Sequence, residues 1–197
     1  MKILLIIIAV SFSQLSFSNL ESPITNFQGS KEEVRTLFDS LWGKFKSFDN
    51  FHCYRRAHIL SYEMEQKNII SGKVFFFKGE KLEMPKNWYY HVAPYVLHEG
   101  SEVVLDKGLF EGATYLSDWL TAFGDGNKCL RVYSYDDYLK SKKSEICMYF
   151  LVSRYFYGPL NLQSSELDHY NPEDLTDMLF ALSPRMRKKY LKENPIN

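Results

Sequence analysis

Phe51-His52-Cys53-Tyr54-Arg55-Arg56-Ala57-His58 places a cysteine at the start of a helix. Working outward, Trp88-Tyr89-Tyr90-His91-Val92-Ala93 puts a histidine inside a strand. Val103-Val104-Leu105-Asp106-Lys107-Gly108-Leu109-Phe110 puts an aspartate at the end of the next strand. A nucleophile, its base and a group that orients the base need supports of this kind. The first turn of a helix also offers unpaired backbone N–H groups and the positive end of the dipole, a setting that favours an anionic sulfur.

The surrounding pattern supplies those supports. Asp49 or Asn50 is placed to cap a helix from Phe51 to Lys67, whose inward face is Ala57, Leu60 and Met64 with Ile59 beside them. Before it, Ser30-Lys31-Glu32-Glu33 has capping-box spacing. Val34, Leu37, Phe38, Leu41, Trp42 and Phe45 then form an apolar stripe on one face of a core helix. Strands are expected at Lys73–Phe77, Trp88–Leu97 and Glu102–Leu105, the last two joined by the turn His98-Glu99-Gly100-Ser101. A short helix at Thr114–Phe123 stops at Gly124, and further strands are expected at Leu130–Tyr135 and Ile146–Tyr155, with a basic loop at Lys140–Ser144 between them. Glu173–Leu182 and Arg185–Lys192 read as helices parted by Ser183-Pro184. The sum is a single α+β domain over residues 30–197, in which the helix of Cys53 packs on an antiparallel sheet.

Met1-Lys2, the apolar run Ile3–Val10 and the small polar residues to Ser18 match a secretory signal, residues 1–18, too short to span a bilayer. Residues 19–29, broken by Pro23, read as a flexible lead-in. The 24 basic residues balance the 24 acidic ones, which gives no general attraction to nucleic acid. Export places Cys53, Cys129 and Cys147 in an oxidising compartment. Cys129 and Cys147 lie at the ends of two neighbouring strands and are expected to pair, leaving Cys53 free.

Each residue also has a plain structural reading. Alone, Cys53 is a buried core thiol, His91 a satisfied core histidine, and Asp106 an ordinary strand-end turn residue. His58, five residues beyond Cys53, faces elsewhere on the helix and is expected to be structural; at least one of Arg55 and Arg56 is expected to lie solvated. Trp88 and Tyr90 share a side of their strand and read as core. His98 and His169 fall in turns, and no metal spacing is present.

The three segments resemble those of the bacterial protein glutaminases (protein-glutamine deamidases), papain/transglutaminase-like Cys-His-Asp enzymes. Cys53-Tyr54-Arg55-Arg56-Ala57-His58 is similar to that family's Cys-Tyr-x-Arg-Ala-His, and Trp88–Ala93 to its Trp-x-Tyr-His-Val-Ala. Leu105-Asp106-Lys107-Gly108-Leu109-Phe110 is similar to Ile-Asp-Pro-Ser-Leu-Phe, with Lys107-Gly108 in place of Pro-Ser. The resemblance implies a papain/transglutaminase-like fold, Cys53 as nucleophile, His91 as general acid and base, and Asp106 as orienter. It implies hydrolysis of glutamine side chains in proteins or peptides, with no cofactor, no metal and no stable membrane anchor, by a monomer. The lead-in is too short for the inhibitory pro-segment that some members carry. Alone, the triad leaves open a transglutaminase, a cysteine peptidase, or a binding module that has kept the scaffold.

Overall fold

The computed structural model describes residues 24, 26–43, 52–82, 89–124, 128–156, 188 and 192. The signal segment, Trp88 and the helices expected at Glu173–Leu182 and Arg185–Lys192 fall wholly or mainly outside the described residues.

The capping box closes in both directions. Glu33 N–H donates to Ser30 Oγ at 3.3 Å, and Ser30 N–H donates to Glu33 Oε2 at 2.6 Å. It starts helix α1, Lys31–Gly43, which buries Val34, Leu37, Phe38, Leu41 and Trp42. Helix α2 runs Cys53–Glu65 with His52 at its N-cap, so the helix begins two residues later than the sequence suggests; Asp49 and Asn50 lie outside the described residues. Its far end stops where Asn68 turns left-handed (φ 58°), and Ile69 N–H reaches back to Met64 O at 2.9 Å. That closure leaves α2 two residues shorter than the stretch ending at Lys67.

Among the described residues, seven strands form one sheet: β1 Asn26–Phe27, β2 Gly72–Phe77, β3 Tyr90–His98, β4 Ser101–Val104, β5 Thr114–Tyr115, β6 Leu130–Arg131 and β7 Met148–Ser153. The order is β5-β4-β3-β2-β7-β6, antiparallel from β5 through β7, with β6 parallel to β7. β1 lies in the stretch read as a flexible lead-in; instead it pairs in parallel with the end of β3, Asn26 opposite Leu97. The β3–β4 turn has positive φ at both central residues, Glu99 (51°) and Gly100 (77°), as a two-residue hairpin whose twist matches its strands requires.

Two elements differ from the sequence reading. The stretch expected as a single helix from Thr114 is strand β5 followed by helix α3, Leu116–Thr121. The strand expected over Leu130–Tyr135 ends at Arg131, because Ser134 Oγ accepts the Asp137 N–H at 3.1 Å and starts helix α4, Tyr135–Ser141. Asp136 and Asp137 in its first turn and Lys140 in its last complement the helix dipole, a signal present in the sequence but overshadowed by Leu130, Val132 and Tyr133.

Alternation along β2 shows how the core divides. Val74 and Phe76 pack with Trp119, Leu120 and Phe123, which puts α3 over one face. Phe75 and Phe77 pack with Ala57, Val92 and Phe150. Helices α1 and α2 share a third cluster with Val96, Val103 and Leu105. The outcome is the expected α+β arrangement, with the helix of Cys53 packed on β3.

Within this frame β2 buries a lysine. Lys73 lies opposite Pro94 and Val152, its amine bonded to His58 Nδ1 and donating to Phe156 O at 2.7 Å. Burial holds the amine well below the usual lysine range; burial and then the charge of Lys73 hold His58 well below its own. His58 is therefore structural, as expected, and ties α2 to the middle of the sheet.

Candidate active site

Cys53, His91 and Asp106 come from three elements and meet at one place. Leu105 N–H still pairs with Pro94 O at 2.9 Å, so Asp106 is the first residue beyond the β3–β4 ladder and its carboxylate turns to the neighbouring strand. His91 Nε2 lies 2.7 Å from Asp106 Oδ2, with both side chains buried. That bond occupies one ring nitrogen, and the Cys53 side chain hydrogen-bonds the same imidazole. Cys53 is the free cysteine among the described residues and is half-buried. Cys129 and Cys147 form a disulfide, the pairing expected from the sequence.

The electrostatics follow from this packing. Burial alone would lower the His91 pKa, but the Asp106 charge and hydrogen bond outweigh it, with a hydrogen bond and charge from Cys53, and raise it to about 9. Burial would raise the Asp106 pKa, yet His91 and the N–H groups of Trp119 and Gly108 bring it below its usual value. At neutral pH the pair is an imidazolium on a carboxylate, and an imidazolium beside sulfur is the electrostatic complement of a thiolate.

Two neighbours escaped the sequence reading. Trp119 Nε1–H donates to Asp106 Oδ2 at 3.0 Å, and its ring stacks on His91 with centroids 5.9 Å apart. Position and type gave no signal, since Trp119 reads as a buried residue of an amphipathic helix. Gly108 N–H donates to Asp106 Oδ1 at 3.0 Å. A Cβ at position 108 would sit 3.1 Å from Asp106 Oδ1 and 3.3 Å from Arg56 Nη2, so the glycine lets the turn fold this close to α2. Arg56 therefore reaches the Lys107–Gly108 turn instead of lying solvated, while the Arg55 guanidinium lies 5.7 Å from the centroid of the Tyr54 ring.

Around Cys53, the His52 and Tyr54 rings stack at 5.4 Å, flanking it in sequence. The His52 side chain makes no capping hydrogen bond to the first turn of α2. Tyr90 packs into the core as expected, whereas Tyr89 is 86% exposed. His98 closes on the backbone, donating from Nε2 to Gly29 O at 2.9 Å. Among the described residues no group of three or more His, Cys, Asp or Glu is placed to hold a metal ion, and no helix is long and apolar enough to cross a membrane.

Residues 43–123 match a family model described as Glutaminase, a span that holds Cys53, His91, Asp106, Gly108 and Trp119. Among solved structures, the chain is similar to the protein-glutaminase from Chryseobacterium proteolyticum, at 17% identity over 68% of this chain and 78% of that one, with a TM-score of 0.46. It is also similar to a pro-protein-glutaminase (18% identity, 72% of this chain and 54% of that one, TM-score 0.47) and to a further protein-glutaminase (18%, 66% and 76%, TM-score 0.44). The chain spans about half the length of the pro-protein-glutaminase. No curated protein matches it.

Proposed function

We propose that this chain is a protein-glutamine deamidase with Cys53, His91 and Asp106 as its catalytic triad, a reading supported by the match of residues 43–123 to a family model described as Glutaminase. The observation that carries the reading is a free cysteine in the first turn of a helix, hydrogen-bonded to a histidine that is held in turn by a buried carboxylate. The Cys53 thiolate attacks the carboxamide carbon of a glutamine side chain, and N–H groups in the first turn of α2 hold the developing oxyanion. The His91 imidazolium gives its proton to the departing nitrogen, which leaves as ammonia. Neutral His91 then takes a proton from water as that water attacks the thioester, which expels the Cys53 thiolate, restores the thiolate–imidazolium pair and leaves glutamic acid to ionise to glutamate. Asp106 keeps the ring oriented through both halves.

The substrate is a protein or peptide with an exposed glutamine, and neither cofactor nor metal takes part. The chain acts as a monomer and is exported through residues 1–18. The test is ammonia release from casein by the wild type and by Cys53→Ala, with products read by mass spectrometry. Ammonia with Gln converted to Glu, lost in the variant, supports the deamidase. Gln–Lys cross-links would make it a transglutaminase, cut chains a peptidase, and silence in both a binding module.

A further inference from the structure

We infer that Trp119 is a positioning residue of this site: its indole N–H fixes the Asp106 carboxylate while its ring face fixes the His91 imidazole. The inference rests on the triad reading above and adds a fourth member to it.

A carboxylate hydrogen-bonded at one oxygen can still rotate and tilt. Here Asp106 receives three donors. Oδ2 takes His91 Nε2 at 2.7 Å and Trp119 Nε1–H at 3.0 Å, and Oδ1 takes the Gly108 N–H at 3.0 Å. The oxygen that holds the histidine is therefore the one the tryptophan holds. Trp119 is fully buried, so its own movement is limited by packing. Phe123 meets it edge-on at 4.8 Å and lies 5.9 Å from His91, while Phe76 stacks on Phe123 at 3.8 Å. The imidazole thus sits against an aromatic wall that also shields its bond to Asp106 from water, where a charge-assisted bond is strongest.

A buried indole must find an acceptor, and a purely structural reading gives Asp106 only that task. The stacking argues otherwise, because one side chain touches both partners of the ion pair. Among the described residues, the charged and titratable groups around Asp106 are His91 from β3, Cys53 beyond His91 from α2, Arg56 from α2 at the Gly108 turn, and the exposed Lys107 in that turn. Among these groups Trp119 supplies a neutral donor, which stabilises the carboxylate without adding charge. Removing that donor lets Asp106 take a proton at a higher pH, and the imidazolium then loses its counter-ion.

Trp119→Phe keeps an aromatic ring and deletes the N–H. Two profiles against pH are read on the full chain, alkylation of Cys53 by iodoacetamide and kcat/KM for ammonia release from casein, with Asp106→Asn alongside. The expected result is a kcat/KM about 10- to 100-fold lower, with KM nearly unchanged and the acidic limb of both profiles moved to higher pH. A purely structural tryptophan would lower the melting temperature and leave the limbs in place, which overturns the inference. Because alkylation needs no substrate, the readings separate. Profiles moved by Asp106→Asn but not by Trp119→Phe sink Trp119 alone, and profiles moved by neither sink the triad and Trp119 together. Should Trp119→Phe fail to fold, the wild type decides by NMR. The Trp119 indole N–H resonance should shift through the pH range in which alkylation titrates, and a resonance that stays fixed overturns the inference.

Discussion

Replacing Asp106 by Asn should convert a stabilising ion pair into a buried imidazole with a weak partner, and the loss should depend on pH in a defined direction. His91 moves from 6.5 to about 9 in the folded protein, which at ~1.4 kcal/mol per pH unit corresponds to roughly 3 kcal/mol in favour of the imidazolium. That agrees with the loss of about 3–5 kcal/mol expected when one partner of a buried pair is removed. Because the folded value is raised, this stability is fully present below 6.5 and lost as pH rises through about 9. Asp106, whose value is lowered, contributes above its ordinary 3.8 and loses its contribution as pH falls through the folded value. Urea unfolding of wild type and Asp106→Asn should therefore differ by roughly 3 kcal/mol near pH 6, and the gap should narrow strongly by about pH 10. NMR titration of His91 in the variant should place it below 6.5, because burial then acts without its counterweight. An equal gap at both pH values, or a His91 that still titrates near 9, would refute the reasoning.

Lys73→Met should remove the donor to Phe156 O and the partner of His58, at a cost of about 1–3 kcal/mol where the wild-type amine is neutral. Since burial lowers the amine's value, the wild-type margin is full above 10.5 and shrinks as pH falls, a trend that paired melting curves would read; a margin that grows on acidification would contradict it. Replacing Cys129 and Cys147 by Ala opens a loop between residues 18 apart and should lower stability by about 3 kcal/mol while leaving Cys53 alkylation unchanged. A changed alkylation rate would show that the bridge reaches the site.

The polar caps and apolar periods made much of the fold legible. The Ser30–Glu33 box, the stripe from Val34 to Trp42 and the Glu99-Gly100 turn each carry a local rule in adjacent residues. What escaped was decided by competition or by distance. Ser134 could cap a helix only if the strand stopped at Arg131, and an apolar run hid that choice. Asn26–Phe27 became a strand because the end of β3 offered a free edge, which no local pattern announces. In the site, Cys53, His91 and Asp106 were legible because their residue types suit their supports. Trp119, Gly108 and Arg56 were not, because a core tryptophan, a turn glycine and a helix arginine look the same wherever they point.

The place of β2 in the sheet has a consequence for how the protein comes into being. Cys53, His91, Asp106 and Trp119 have all left the ribosome long before β7, yet β2, which flanks the strand of His91, pairs along its whole length with Met148–Ser153. Until that late strand arrives, Val74-Phe75-Phe76-Phe77 presents a bare, strongly apolar edge to other chains. A partly made chain therefore carries Cys53, His91, Asp106 and Trp119 without the rigid floor beneath them, and its first hazard is self-association. Completion of the sheet is a long-range event, slow to nucleate, and it joins the assembly of these side chains to the removal of that edge.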